Sequence, residues 1–301
     1  MIHFRKITYL ISGTLVVLSV ISMVVFGFNL GIDFTGGSLM EIEYKNEKPD
    51  INFLKDSLKP FETGDLKIQP TGDKGYILRF KEIDEKTHQE ILAALGIPDS
   101  ADEKRFDSIG PIIGKELQKR ALMAVILASV MIVLYISFAF RKVSKSIAAR
   151  SQNLSSFKYG IIAIVALIHD SIIPTGIFSA LGHYKGIEID SLYVTAILTI
   201  IGFSVHDTIV VFDRIRENLI KNPSETFEGT VDKSVKETIV RSINTSLTVL
   251  LVLTALFIFG GETTKFFSLA LILGIFFGTY SSIFLASPLL VSWLNFSKRK
   301  K

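Results

Sequence analysis

Cysteine is absent from this chain of 301 residues, which excludes disulfides, thiolate metal sites and cysteine nucleophiles but says little about compartment. A nucleophile elbow, a phosphate loop and a cluster at metal-ligand spacing are missing too, so neither an enzyme nor a cofactor is expected. Charge is missing only locally: long stretches carry almost none, while one block is rich in Lys, Glu and Asp. A water-soluble protein of this length would spread its apolar residues at helix or strand periods instead. Runs of roughly 18 or more apolar residues read as transmembrane helices. With 49% hydrophobic residues and a mean hydropathy of +0.43, the chain reads as integral to a lipid bilayer. Its net charge of +4 fits basic residues gathered in cytoplasmic loops, and nucleic acid is not expected as a partner.

Six apolar segments can be marked, at 9–30, 121–140, 159–182, 191–212, 243–261 and 266–294. The first is too long for a signal-peptide core and has no small-residue cleavage site, so it reads as a retained anchor. Arg5 and Lys6 precede it, Arg141, Lys142, Lys145, Arg150 and Lys158 fill the second connection, and Arg214, Arg216, Lys221, Lys233 and Lys236 fill the fourth. Lys298 to Lys301 close the chain, whereas the turns at 183–190 and 261–265 offer only Lys185 and Lys265. The basic residues of the short loops therefore fall on one side, with both termini in the cytoplasm. The expected organisation is a cytoplasmic start and first span at 1–30, an extracytoplasmic domain at 31–120, and five further spans over 121–294. Cytoplasmic loops at 141–158 and 213–241 and a basic tail at 295–301 complete it.

The block at 31–120 has the marks of a folded α+β domain. "SLMEIEYK" alternates as a strand, with Met40, Ile42 and Tyr44 on one side, and "DINFLKDSLKPF" reads as an amphipathic helix opened by Asp50. "DLKIQP" and "GYILRFKEI" flank a hairpin-like turn at 71–74. "DEKTHQEILAALG" is a second helix with Asp84 at its start and Gly96 at its end. The order β-α-β-β-α suggests a small ferredoxin-like sandwich, suited to binding or gripping.

Ionisable residues then stand where they are expensive. In "IIGFSVHDTIVVFDRIREN", Asp207 precedes Arg214 by seven residues, roughly 10 Å inside the end of its span at about 1.5 Å per residue. His206 and Asp213 share a face in the same way, and Gly202 and Ser204 leave room for a neighbouring helix. The fifth span opens with Arg241, Asn244, Thr245 and Thr248 as a polar stripe, so antiparallel packing would bring Arg241 within reach of Asp207. His169 and Asp170 stand near the middle of the third span, with Pro174 just beyond. Taken alone, Arg241, Asp213 and Arg214 read as interfacial pairs and His206 as a packed neutral histidine. Asp170 and Asp207 are different, because a charge at helix centre costs around 2.5–3.5 kcal/mol and usually marks an ion or proton path. Apolar surroundings favour the protonated carboxyl and a nearby arginine the carboxylate, so moving Arg241 against Asp207 would take up or release a proton. In the last span Ala270, Gly274, Gly278, Ser282 and Ala286 recur every four residues. That smooth face serves either packing within the bundle or a partner subunit.

Several stretches together resemble one family: "GIDFTGG" at 31–37, "GPIIGKEL" at 110–117, "ALIHD" at 166–170 and "GFSVHDTIVVFDRIREN" at 202–218. "RSINTSLTVLLVLTALFIFGG" at 241–261 and "LGIFFGTYSSIFLASP" at 273–288 extend the likeness over nearly the whole chain. They resemble the SecD/SecF family of protein-export subunits, in the resistance-nodulation-division superfamily, with Asp33, Gly36 and Gly37 forming its Gly-rich turn. The resemblance implies a polytopic α-helical protein of the bacterial inner membrane, six helices with an external ferredoxin-like domain. It implies a proton-driven assist to late steps of preprotein export, with a SecD chain, the SecYEG channel and SecA as partners and YajC and YidC as further associates. The family's proton-transport aspartate and arginine fall on Asp207 and Arg241, and its remaining acidic group lies in SecD, so this chain would hold half of the path. His206 stands where the family has Asn; an imidazole can itself carry a proton near neutral pH, so both a relay role and a substituted hydrogen bond stay open. The alternatives are a small-molecule or ion exporter of the same superfamily and an assembly subunit whose buried charges only hold helices together. Exporters carry two six-helix halves with large external domains, and this chain has one half with about ninety external residues.

Overall fold

The computed structural model describes residues 4–139, 156–222 and 224–299. Arg141, Lys142, Lys145 and Arg150 of the expected basic loop, and Lys300 and Lys301 of the tail, lie outside the described residues. The chain divides into two compact units, one over residues 30–122 and the other over the rest.

In the first unit a short helix α2 (Ile32–Thr35) leads into β1 (Gly37–Tyr44), followed by α3 (Ile51–Leu58), β2 (Lys67–Thr71), β3 (Gly75–Phe80), α4 (Glu85–Ala94) and β4 (Ala101–Ile109). The sheet order is β2-β3-β1-β4 and every pairing is antiparallel, which is the split βαβ, ferredoxin-like arrangement. Alternation on β1 puts Met40, Ile42 and Tyr44 into the core with Leu54 and Leu58 of α3 and Ile91 of α4. Full burial of each such side chain stabilises by about 1.5–3 kcal/mol. The helix starts are set by side-chain caps: Asp50 accepts from Asn52 N at 2.7 Å and Asp84 from Thr87 N at 2.9 Å. The Thr87 hydroxyl and backbone N–H hold the Asp84 carboxyl below the usual carboxylate range.

The sequence pattern did not announce β4, whose "ADEKRFDSI" is rich in charge. It is an edge strand, where charge discourages pairing with other chains. Its inner contacts come from Phe106, stacked on His88 with ring centroids 3.7 Å apart, and from Glu103, paired with His88 Nε2 at 2.7 Å.

The turn before β1 closes by backbone approach. Gly36 (φ +78°) lies so near Pro111 that a Cβ there would meet its Cα at 2.6 Å, and a Cβ on Gly114 would meet Gly36 N at 2.9 Å. "GIDFTGG" and "GPIIG" are thus two halves of one contact that admits no side chain. Pro111 opens α5 (Pro111–Ala139), where the missing N–H of the first helical position costs no bond.

The second unit contains α1 (Arg5–Phe26), α6 (Ser156–Lys185), α7 (Ser191–Lys221), α8 (Phe227–Phe259) and α9 (Glu262–Ser281). A π-helical turn (Ser282–Ala286) joins α9 to α10 (Ser287–Arg299). With α5, six helices among the described residues are long and apolar enough to cross a membrane, the last running through the π-turn. Small residues bring helices together: Ser22 Oγ donates to the Gly176 carbonyl at 2.8 Å and Ser179 Oγ to the Gly27 carbonyl at 2.6 Å, joining α1 to α6. The first helix ends at Phe26 because Gly27 turns to φ +68°; the apolar residues after it, counted above in the first span, are not helical. Of residues 213–241, expected as a cytoplasmic loop, those up to Lys221 prolong α7 and those from Phe227 open α8. Asn218 Nδ2 donates to Ser234 Oγ at 3.0 Å and Glu237 Oε2 at 2.8 Å, and Arg214 Nε reaches the same Glu237 oxygen at 2.7 Å.

Gly36→Ala is expected to destabilise the chain by on the order of 1–3 kcal/mol through the left-handed backbone and the Pro111 contact, read as a lowered thermal midpoint of the purified full-length protein. Because Asp84 titrates below its unfolded value, its contribution is complete above the ordinary carboxylate range and lost as pH falls through the folded value. The midpoint difference between the native chain and Asp84→Ala should accordingly be full at neutral pH and shrink on acidification.

Candidate functional site

Among the described residues, two carboxyls lie inside the bundle. Asp170 of α6 is fully buried and takes donors from three helices. His169 Nδ1 faces Oδ1 at 2.8 Å, Ser204 Oγ of α7 donates to Oδ2 at 2.5 Å, and Ser281 Oγ of α9 donates to Oδ2 at 2.7 Å. The His169 ring stacks on Tyr280 with centroids 6.1 Å apart, and its Nε2 is buried without a partner.

Asp207 of α7, one turn beyond Ser204, is also buried. The hydroxyls of Ser242 on α8 and Thr279 on α9 face its carboxyl, yet Oδ2 and the Ser242 hydroxyl both lack a hydrogen-bond partner of good geometry. Thr279 Oγ1 is itself 2.5 Å from Ser246 Oγ. The structure does not bring Arg241 to Asp207: it places Arg241 on the outer side of α8 and turns the next residue, Ser242, inward. Asn244, Thr245 and Thr248 follow Arg241 outward, and on α7 His206 lies exposed with Gly202, Thr199 and Thr195. No neighbour stands within 4 Å of a Cβ placed on Gly202, so the room it leaves opens outward. Arg214 is paired with Glu217 at 2.5 Å and Glu237 at 2.7 Å, away from Asp207.

The small-residue face of the last span packs inside the chain. Ala270, Ser282 and Ala286 are buried, and a Cβ on Gly274 would lie 2.2 Å from Ile200 of α7. Ser282 Oγ shares a hydrogen with Thr208 Oγ1 at 2.8 Å. Ser204, Ser242, Ser246, Thr279 and Ser281 went unrecognised in the sequence as members of these clusters. A serine in an apolar helix satisfies itself on a carbonyl of the preceding turn, so its type carries little signal; spacing from the carboxyls along α7 was the one available clue, and it found Ser204 only as a gap.

Six membrane-length helices among the described residues, two buried carboxyls held between α6, α7, α8 and α9, and an α+β unit that falls between the first two spans in sequence define a multi-pass membrane protein with an ionisable interior. A family model for the C-terminal region of SecD/SecF protein export membrane proteins matches residues 89–296, and one for the SecD/SecF GG motif matches residues 21–48. The protein translocase subunit SecF of Thermobaculum terrenum is 44% identical over 98% of this chain and 93% of its own. That of Anaerolinea thermophila is 38% identical over 96% and 92%. The crystal structure of SecDF from Thermus thermophilus, described as a translocon-associated membrane protein, superposes with a TM-score of 0.83 at 30% identity over 98% of this chain. A second SecDF structure, in a form called super-membrane-facing, gives 0.69. This chain spans 38% of the first SecDF chain and 39% of the second. The chain belongs to the SecD/SecF family of protein export membrane proteins. Neither the family description nor the relatives' names denote a catalytic chemistry.

Gly274→Leu is expected to push α9 off Ile200 and destabilise the bundle by about 1–3 kcal/mol, the usual scale of overpacking. The measurement is the thermal midpoint of the detergent-solubilised protein, with Gly274→Ala as a smaller step.

Proposed function

We propose that the chain acts as the SecF-type subunit of a SecD/SecF pair, using the proton-motive force to promote late steps of preprotein export. The observation that carries this reading is a polar outer face at membrane depth beside a buried carboxyl. Arg241, Asn244, Thr248, His206 and Thr199 are exposed on the outer side of their helices, and no hydrogen bond or ion pair joins the side chain of Arg241 or Asn244 to another described residue. Polar groups facing lipid are expensive, so this face suits a second set of helices. A SecD chain is the fitting partner, because the SecDF relatives carry both names in one chain of which this protein matches 38%. The exporter alternative is not favoured, since the relatives are named translocase subunits.

In this reading Asp207 and Arg241 are the proton-coupled pair, with His206 at the partner surface and His169 and Asp170 behind them. Successive helical residues differ by about 100° around the axis, so a rotation of α8 by one residue exchanges Ser242 for Arg241 at the Asp207 carboxyl. Arrival of the guanidinium favours the carboxylate and its departure the protonated acid. A partner that turns α8 therefore loads and unloads a proton, and an electrical gradient supplies about 2.3 kcal/mol per charge per 100 mV. The loop charges support an inner-membrane protein with cytoplasmic termini and the α+β unit outside, where it would meet the preprotein emerging from the SecYEG–SecA machinery.

The test is precursor export in cells whose only copy carries Asp207→Asn, with the membrane complex quantified alongside. Export should slow several-fold and lose its dependence on the proton gradient while the complex stays at normal abundance. Normal export would overturn the role of Asp207, and loss of the complex would assign it to assembly.

A further inference from the structure

We infer that the gap between α5 and α6 is a binding site for one acyl chain of a membrane phospholipid. The two helices meet at one end. A Cβ on Gly160 of α6 would stand 2.7 Å from Ser137 Oγ of α5 and 3.7 Å from the Val133 carbonyl oxygen, and Ile136 of α5 is fully buried. Toward the start of α5 the helices part, and a cavity of about 480 Å³ opens between them. Val125, Ser129 and Val133 of α5 line one side, Leu167 and Ile168 of α6 the other, and Ile201 of α7 also faces the cavity. Leu167 and Ile201 are buried whereas Ile168 is half-exposed, so the cavity has a deep side and an open mouth. All of these residues belong to the second unit.

Depth and chemistry decide what fills it. The lining falls within the apolar runs 121–140 and 159–182, and Val125 to Val133 covers about 12 Å at 1.5 Å per residue, well inside a hydrocarbon core about 30 Å thick. The mouth therefore opens onto lipid chains. Water needs two to four polar partners. The lining holds two hydroxyls, and that of Ser129 is spent on the Val125 carbonyl of its own helix at 2.8 Å, leaving Ser171. A protein helix is about 10–12 Å across with its side chains and does not enter a wedge whose walls touch one turn farther on. No charged residue lines the groove to pair with such a helix either, in contrast to the outer face of α7 and α8. Left empty, the lining forfeits dispersion contacts on its open side. A hydrocarbon chain needs no hydrogen bond, is slim enough for the wedge, and is the medium at its mouth. The volume lies within the range of ligand-sized sites, about 300–1,000 Å³.

Ile168 and Ile172 of the lining stand two residues either side of Asp170. Two residues turn a helix by about 200°, so Asp170 looks away from the groove, toward Ser204 and Ser281. The acyl chain thus backs the helix that carries the buried carboxyl. It keeps that side of α6 dry without touching the carboxyl itself.

The chain has one tryptophan, so a fluorescent reporter is readily moved. Trp293→Phe with Leu167→Trp puts the sole indole on the deep side of the groove. The full chain, alone and in complex with a SecD chain, is placed in phosphatidylethanolamine and phosphatidylglycerol vesicles whose acyl chains are brominated near their middle, since bromine quenches indole at close range. The indole should be quenched in both samples. Ser129→Phe, or the smaller Ser129→Leu, fills the groove and should cut that quenching at least two-fold. Met131→Phe, on the exposed side of the same helix, should leave it unchanged. Because the Ser129 variants grow into open space, the thermal midpoint of the detergent-solubilised protein should hold or rise. Quenching that survives both Ser129 variants places lipid on the outside only and overturns the inference. So does a midpoint lowered in both, which would mean that no gap exists. An indole unquenched in the chain alone would show the groove closed on itself, and one protected only in the complex would show protein covering it; either result overturns the inference as well.

Discussion

Asp170 is the point at which three helices have to agree. A carboxyl with no exposure at the centre of an apolar bundle is tolerated only when its oxygens are satisfied, and its donors come from α6, α7 and α9 at 2.5–2.8 Å. Hydroxyls as short as serine reach that carboxyl only if the helix axes come close. The α7–α9 face is accordingly built of Gly274, Gly278 and Ser282 against Ile200, Ser204 and Thr208. Close approach in turn leaves Asp207 facing hydroxyls rather than bulky apolar side chains. The spacing of the bundle, the small-residue face and the setting of the second carboxyl all follow from the need to house the first.

Adjacent residues on α7 divide the work of the helix. Asp207 looks inward to Thr279 and Ser242, while His206 looks outward with Gly202 and Thr199. The pair that stands as a single oddity in the sequence belongs to two surfaces, one sealed within the chain and one facing outward. The same division recurs on α8, with Ser242 inside and Arg241 outside.

What could be read in advance was what local chemistry decides. The spans followed from uninterrupted apolar runs, the two short helices from aspartate caps, and β1 from alternation, since none of these needs knowledge of distant residues. β4 escaped because an edge strand is paired on one side and can carry Glu103, Arg105 and Asp107 without showing a buried face. The extension of α7 and α8 escaped because its stability comes from Asn218, Arg214 and Glu237 meeting across the hairpin, a contact between residues sixteen or more apart. The facing of Arg241 escaped for a simpler reason. One residue's difference in register turns a side chain by about 100°, and which of Arg241 or Ser242 points inward is settled by packing, not by composition.

The contact between Gly36 and Pro111 has a mechanical meaning. Strands β1 and β4 are antiparallel neighbours, and Gly37 pairs with Ile109 at the end where the chain enters and leaves the α+β unit. Both tethers therefore depart side by side, clamped backbone against backbone. The start and the end of the unit therefore share one closure. The end of the ladder is thus held shut by the main chain itself: a Cβ on Gly36 would meet Pro111 Cα at 2.6 Å and one on Gly37 the Phe80 carbonyl oxygen at 2.8 Å.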